Sequence, residues 1–202
     1  MKDPAVATHT RRISALAVSL LLMLGCPFAA VSQTKESALW NAIKSGGYVV
    51  LMRHADAPGT GDPAGFKPGI CSTQRNLSDD GRRQAERIGD RFRANGVAAA
   101  TVYSSPWCRC IDTATALKLG PVTESGMVAS TYQNSPANNP AEDSKAVAQW
   151  LAKLRSDKPV VVVTHQVNIT ALTDVFPSSG EMVVVNVGAK GELKVIGSIR
   201  IE

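Results

Sequence analysis

Two uninterrupted apolar runs stand out along the chain, Tyr48-Val49-Val50-Leu51-Met52 and Val160-Val161-Val162-Val163-Thr164. Neither alternates with polar residues, which is the pattern of strands covered on both faces, as in parallel sheets. Between them the period changes to that of helices. Ser78 can cap a helix over 79–95, with Asp79 and Asp80 in its first turn, where the helix dipole favours acids. Ala85, Ile88 and Phe92 form its apolar stripe, and Asn95-Gly96 ends it. A strand is predicted over 97–103, then a helix over 107–119 that Pro106 starts and Gly120 closes. Val122-Thr123 is a candidate short strand. A further helix over 144–155 carries Val147, Trp150, Leu151 and Leu154 on one face, and a short helix is expected over 168–175. Two closing strands follow, over 182–187 and 193–199. The segments 55–76 and 124–143 are rich in Gly, Pro, Ser and Asn and read as surface excursions. Strands alternating with helices predict an α/β fold: three αβα layers around a mostly parallel central sheet.

The first residues follow a different pattern. Lys2, Arg11 and Arg12 precede an apolar run from Ile13 to Leu24, and small residues follow up to Ala30-Val31-Ser32. That order predicts a cleaved signal peptide over 1–32, with Gln33 as the mature N-terminus and a single domain over 33–202. The apolar run falls short of the roughly 20 residues that span a bilayer, so no stable membrane span is expected after cleavage. The expected location is periplasmic or secreted. Gly25-Cys26 leaves a lipid anchor as the alternative.

Removing 1–32 takes away Lys2, Arg11, Arg12 and Asp3, so the formal charge falls from +5 to +3. A mildly basic chain without a lysine-arginine run suits a small anionic ligand, and no nucleic-acid partner is expected. Cys71, Cys108 and Cys110 remain. In an oxidising compartment one disulfide is expected, Cys71 with Cys108 or Cys110, because the latter two point in different directions from one helix. No Cys-x2-Cys pair exists, so no metal site and no cofactor are expected.

Two histidines remain in 33–202, and each directly follows one of the apolar runs: Arg53-His54-Ala55-Asp56 and His165-Gln166. Parallel sheets place their chemistry at the carboxyl ends of strands. Arg53 beside His54, and Arg109 one turn inside a helix, bring planar forks that bind two phosphate oxygens at once. The N-terminus of that helix adds backbone donors.

Arg53-His54, then Leu77-Ser78-x-x-Gly81-x-x-Gln84-Ala85, then Ser104-Ser105-Pro106-x-x-Arg109-x-x-x-Thr113-Ala114, then Thr164-His165, resembles the histidine phosphatase superfamily, branch 1, of phosphoglycerate-mutase-like fold. It most resembles the small exported bacterial members. The family's usual Arg-His-Gly and Thr-His-Gly read Arg53-His54-Ala55 and Thr164-His165-Gln166 here. The resemblance implies an exported phosphomonoesterase in which His54 attacks phosphorus and forms a phosphohistidine. Arg53, Arg109 and His165 would hold the phosphoryl oxygens, with no metal required. Arg75 and Gln166 are further candidates for substrate contact. The substrate would be a small phosphorylated molecule, a sugar phosphate being one candidate. A general acid for the leaving oxygen has no clear place: Glu181, Glu124 and Asp56 are the candidates, with Glu142 and Asp143 further along. A phosphomutase and a non-catalytic binding protein for a phosphorylated ligand are the alternatives.

Overall fold

A computed structural model describes residues 27–132, 139–154 and 156–201. The expected signal segment therefore lies mostly outside the described residues. Its last part, from Pro27, enters the first helix. The elements are α1 (Pro27–Ser45), β1 (Tyr48–Arg53), α2 (Asp79–Ala94), β2 (Thr101–Ser104), α3 (Cys108–Ala116), β3 (Val122–Glu124), α4 (Pro140–Lys153), β4 (Val160–Thr164), α5 (Gln166–Thr173), β5 (Met182–Val187) and β6 (Leu193–Ile199).

The six strands lie in the order β3-β2-β4-β1-β5-β6. The first four run parallel, and β5 and β6 are antiparallel to their neighbours. Both apolar runs become central strands, paired from Val49 with Val160 to Arg53 with Thr164. Their side chains alternate between the two faces. Val50, Met52, Val161, Val163, Met182 and Val184 pack under Trp40 and Ile43 of α1, Ile88 and Phe92 of α2, and Ala114 of α3. Val49, Leu51, Val160, Val162, Val183 and Val185 pack under Val147 and Leu151 of α4 and Ile169 of α5. The absence of polar alternation in the sequence is thus explained by helices on both faces, and the fold is the expected three-layer α/β architecture.

Several elements differ from the sequence reading, among them α3, expected over 107–119, which runs from Cys108 to Ala116 with Trp107 at its N-cap. Helix α1 was not anticipated. It packs Leu39, Trp40 and Ile43 into the core. Strand β2 begins at Thr101 rather than 97, because Val97 N–H closes the end of α2 on Phe92 O and Ala100 N–H bonds Leu119 O. Helix α4 begins at Pro140 rather than 144, because the Asn139 side chain caps it by accepting from Ala141 N–H. Helix α5 begins at Gln166, directly after His165, and closes on Asp174 in the left-handed region.

The chain leaves β1 toward β2 on one side and leaves β4 toward β5 on the other, so β1 and β4 form the point where the winding reverses. Ligands of open α/β sheets bind at the carboxyl ends of strands at such a point. Helix α2 starts close by. Gly81 in its first turn lies against the Asp56 backbone carbonyl, where any Cβ would overlap it. Ser78 caps the helix and bonds the Asp56 carboxylate at 2.8 Å. The chain just after β1 is thereby fixed against α2.

Candidate functional site

Because Arg53 and Thr164 are register partners, the residues that follow them emerge side by side. His54 N–H donates to Thr164 O, and the His54 and His165 rings stand 5.6 Å apart. They line a pocket with Arg53, Arg75, Arg109 and Gln166, together with Gly59, Gly61, Ser130 and Tyr132, of about 170 Å³. The structure thus brings His54, His165, Arg53, Arg109, Arg75 and Gln166 to one place.

Hydrogen bonds assign the ring atoms. His54 Nδ1 lies 2.7 Å from Ala55 O, a group that only accepts. Nδ1 therefore carries the proton, and Nε2 keeps its lone pair. His165 Nε2 lies 2.8 Å from Ser105 Oγ, and its Nδ1 lies 3.4 Å from Arg109 Nη2. A guanidinium only donates, so in this arrangement Nδ1 is the acceptor and Nε2–H faces Ser105. The Ser105 hydroxyl can also donate, so it accommodates either tautomer.

Ala55 and Gln166 stand where the resembling family has glycine. Neither has a positive φ; among the described non-glycine residues only Lys118 and Asp174 do. The turns after β1 and β4 need no glycine conformation here. Ala55 N–H is instead held by Thr113 Oγ1 of α3 at 3.0 Å. Gln166 Nε2 donates to Thr170 Oγ1 within α5.

Burial, followed by the nearby charges of Arg109, Arg75 and Arg53, holds the His54 imidazole down to about 3 despite its bond to Ala55. Burial likewise holds His165 well below the usual histidine range, reinforced by His54 and the same arginines. Both rings are neutral at pH 7, which suits a nitrogen nucleophile. The sign for stability follows. Both folded pKa values lie below the ordinary 6.5, so on acidification the unfolded chain takes up protons that the folded chain refuses. Stability should fall below about pH 6.5 by up to about 1.4 kcal/mol per pH unit for each histidine. Denaturant titration at pH 7 and pH 5 should show a loss of roughly 2–4 kcal/mol, at the upper edge of the range where carboxylates begin to contribute. A His54→Asn, His165→Asn double variant should lose most of that difference. An unchanged pH dependence would contradict the burial of the two neutral rings.

The cations are tightly set. Arg53 Nη1 donates to Pro177 O at 3.0 Å. Arg75 donates to Gly61 O and Ala57 O, so this arginine belongs to the wall of the pocket and not to an exposed loop. Arg53 Nε and Arg109 Nε are buried and meet no hydrogen-bond acceptor among the described residues. Two buried donors of this kind are costly unless an acceptor arrives, and an oxyanion would supply it. Cys71 and Cys108 form a disulfide that ties segment 55–76 to the start of α3, one residue from Arg109. Cys110 is free and buried. Burial pushes its thiol up to about 12, which leaves it unreactive against His165.

The acid candidates are placed elsewhere, and here the sequence reading needs correction. None of Glu181, Glu124, Asp56, Glu142 or Asp143 lines the pocket. Glu181 touches the pocket residue Arg53 through its backbone, whose carbonyl accepts from Arg53 N–H. Its carboxylate turns to Ser178 N–H and Arg200. Burial raises its pKa, but those donors outweigh burial and hold it below the usual range, so it is ionised and poorly suited to donate a proton. Glu124 is exposed at the end of β3, Asp56 bonds Ser78, and Glu142 and Asp143 sit in the first turn of α4.

Sequence reasoning missed two residues. Ser105 stands inside the Ser-Ser-Pro motif, but only the fold places its hydroxyl on His165. Asp62 lies in the glycine-rich loop and forms a buried ion pair with Arg109, 2.9 Å from Oδ1 to Nη1. A lone acid between glycines and a proline carried no periodic signal.

Comparison with known proteins bears on the family and the fold. Residues 49–126 match the family described as histidine phosphatase superfamily (branch 1). That match supports placement in the superfamily. It includes Arg53, His54, Arg75 and Arg109, whereas His165 lies beyond it. No curated protein matches the sequence. Among solved structures, phosphoserine phosphatase from Entamoeba histolytica, in complex with 3-phosphoglyceric acid, superposes with a TM-score of 0.56 at 16% identity, over 77% of this chain and 98% of that one. The protein histidine phosphatase SixA complexed with tungstate gives 0.54 at 18% identity, over 75% and 96%. A mycobacterial glucosyl-3-phosphoglycerate phosphatase gives 0.53 at 16% identity, over 73% and 96%. At these identities the likeness establishes a shared fold, that of the phosphoglycerate-mutase-like histidine phosphatases.

Proposed function

We propose that the protein is an exported, metal-independent phosphomonoesterase acting on a small phosphorylated substrate, a sugar phosphate being one candidate. The observation that carries this reading is a neutral His54 whose Nε2 keeps its lone pair inside a pocket walled by Arg53, Arg75 and Arg109. His54 Nε2 attacks phosphorus in line, forming an N–P bond as the ester P–O bond breaks. The guanidiniums take the phosphoryl oxygens, with the buried Nε–H groups of Arg53 and Arg109 as donors still available to them. His165 adds a hydrogen bond once Ser105 donates to its Nε2. Water then attacks phosphorus, breaks the N–P bond and releases phosphate. The cationic side chains supply the positive field that a metal ion would otherwise provide. The disulfide favours export, because such bonds persist in oxidising compartments.

The test is phosphate release from para-nitrophenyl phosphate by protein recovered from the exported fraction, whose chain should begin at Gln33. EDTA should leave the rate intact, and tungstate or vanadate should inhibit. An absolute requirement for added divalent metal would overturn the arrangement. Binding of phosphate without turnover would favour the non-catalytic alternative, for which the lack of Asp or Glu among the described residues lining the pocket is the supporting observation.

A further inference from the structure

Arg109 does not hold its position alone. Asp62 Oδ1 accepts from Arg109 Nη1 at 2.9 Å and from Arg75 N–H at 3.0 Å, and Oδ2 accepts from Trp107 Nε1 at 2.9 Å. Both side chains of the Asp62–Arg109 pair are buried, 1% and 3% exposed. The Trp107 ring meets the His165 ring edge-to-face at 5.6 Å. One carboxylate therefore touches an arginine of the pocket, the backbone of a second, and the aromatic ring that backs a histidine. The disulfide from Cys71 to Cys108 and the bond from Cys108 N–H to Gln74 Oε1 hold the Asp62 loop against α3.

We propose that Asp62 is a positioning residue for phosphoryl transfer: it fixes the Arg109 guanidinium by one edge and tunes the charge of the site to a phosphoryl dianion. This inference rests on the phosphatase reading above. The physical argument has two parts. A guanidinium is a rigid fork, so anchoring Nη1 on Asp62 sets the direction of Nε and Nη2, which are then presented to a ligand without further ordering. Charge is the second part. Arg53, Arg75 and Arg109 bring three positive charges, the two histidines are neutral, and Asp62, hydrogen-bonded to Arg109, subtracts one; the charge of Asp56 also acts on Arg53, but its carboxylate is turned to Ser78. The remaining two match a phosphate monoester, which carries a charge near −2 above its second pKa of about 6. Without Asp62 the site would bind a phosphate ion more strongly in the ground state while holding Arg109 less firmly in the transition state.

Asp62→Asn keeps the shape and removes the charge. We expect kcat for an aryl phosphate to fall about 10²-fold, the scale of a misplaced catalytic group. Inorganic phosphate, measured by calorimetry, should bind at least as tightly as to the wild type. Trp107→Phe, which removes one anchor of Asp62, should lower kcat by less. In an Arg109→Ala background, Asp62→Asn should change kcat less than about twofold, since its effect passes through Arg109. Thermal unfolding of each variant identifies samples that fail to fold, and ¹⁵N resonances of the Arg109 guanidinium, sharp in the wild type and broadened in Asp62→Asn, report positioning without turnover. Three results would overturn the proposal: wild-type kcat in Asp62→Asn, loss of phosphate binding together with kcat, or losses from Asp62→Asn and Arg109→Ala that multiply. A wild-type protein that releases no phosphate would strike the phosphatase reading instead. The phosphate affinity and the guanidinium resonance would then still decide the role of Asp62.

Discussion

His54→Ala should abolish phosphate release, with a loss on the order of 10⁴–10⁶-fold, the scale at which covalent catalysis loses its nucleophile. It should also remove the acid-labile phosphoenzyme that rapid quenching traps from the wild type. The expectation comes from a single atom. His54 Nδ1 is committed to Ala55 O, so the ring is held in one tautomer and one orientation, with Nε2 as its free nucleophile. His165 is not placed to replace it, because its Nε2 is turned to Ser105 and its Nδ1 accepts from Arg109 Nη2. His165→Ala should therefore slow turnover while a phosphoenzyme still forms on His54. Phosphohistidine accumulating in the His54 variant would show that the roles are assigned to the wrong ring.

The second large effect concerns the leaving group. Among the described residues no carboxyl lines the pocket, and the sequence 133–138 contains no acidic residue. An oxygen that departs unprotonated carries the full developing charge, whereas a placed acid contributes about 10²–10⁴-fold. Aryl phosphates should therefore exceed alkyl or sugar phosphates in kcat/KM by roughly that factor, and a plot of rate against leaving-group pKa should be steep. Glu181→Gln, Glu124→Gln and Asp56→Asn should each leave the aryl-to-alkyl ratio unchanged. A selective collapse of the sugar-phosphate rate in one of them would identify that residue as the acid and show that its side chain moves into the pocket when substrate binds.

Much of the site was legible because it sits where strands end. A strand buried on both faces must be apolar throughout, so the first polar residues after Met52 and Val163 mark the carboxyl edge of the sheet. The histidines and Arg53 stand at or just past that edge. Arg109 was legible through Pro106, which lies just before the helix, although the helix itself begins at Cys108 and places Arg109 in its first turn. Other features were hidden for a common reason. Glu181 directly precedes strand β5, but nothing in its neighbours told which way its carboxylate turns; Arg200 and Ser178 N–H settle that from another strand end and a turn. Arg75 read equally well as a solvated loop residue until Ala57 and Gly61 carbonyls closed around it.

The amino-acid order by itself determined the strands, the helices other than α1, the sheet type and the residues at the strand ends, because each depends on the polarity of near neighbours along the chain. Tertiary structure decided which Cys pairs with Cys71, which tautomer His54 adopts, that His165 meets Ser105, and that Asp62 meets Arg109 across 47 positions. Those outcomes depend on charges and donors brought together by folding, and a buried charge finds its partner by position in space, not by spacing in sequence.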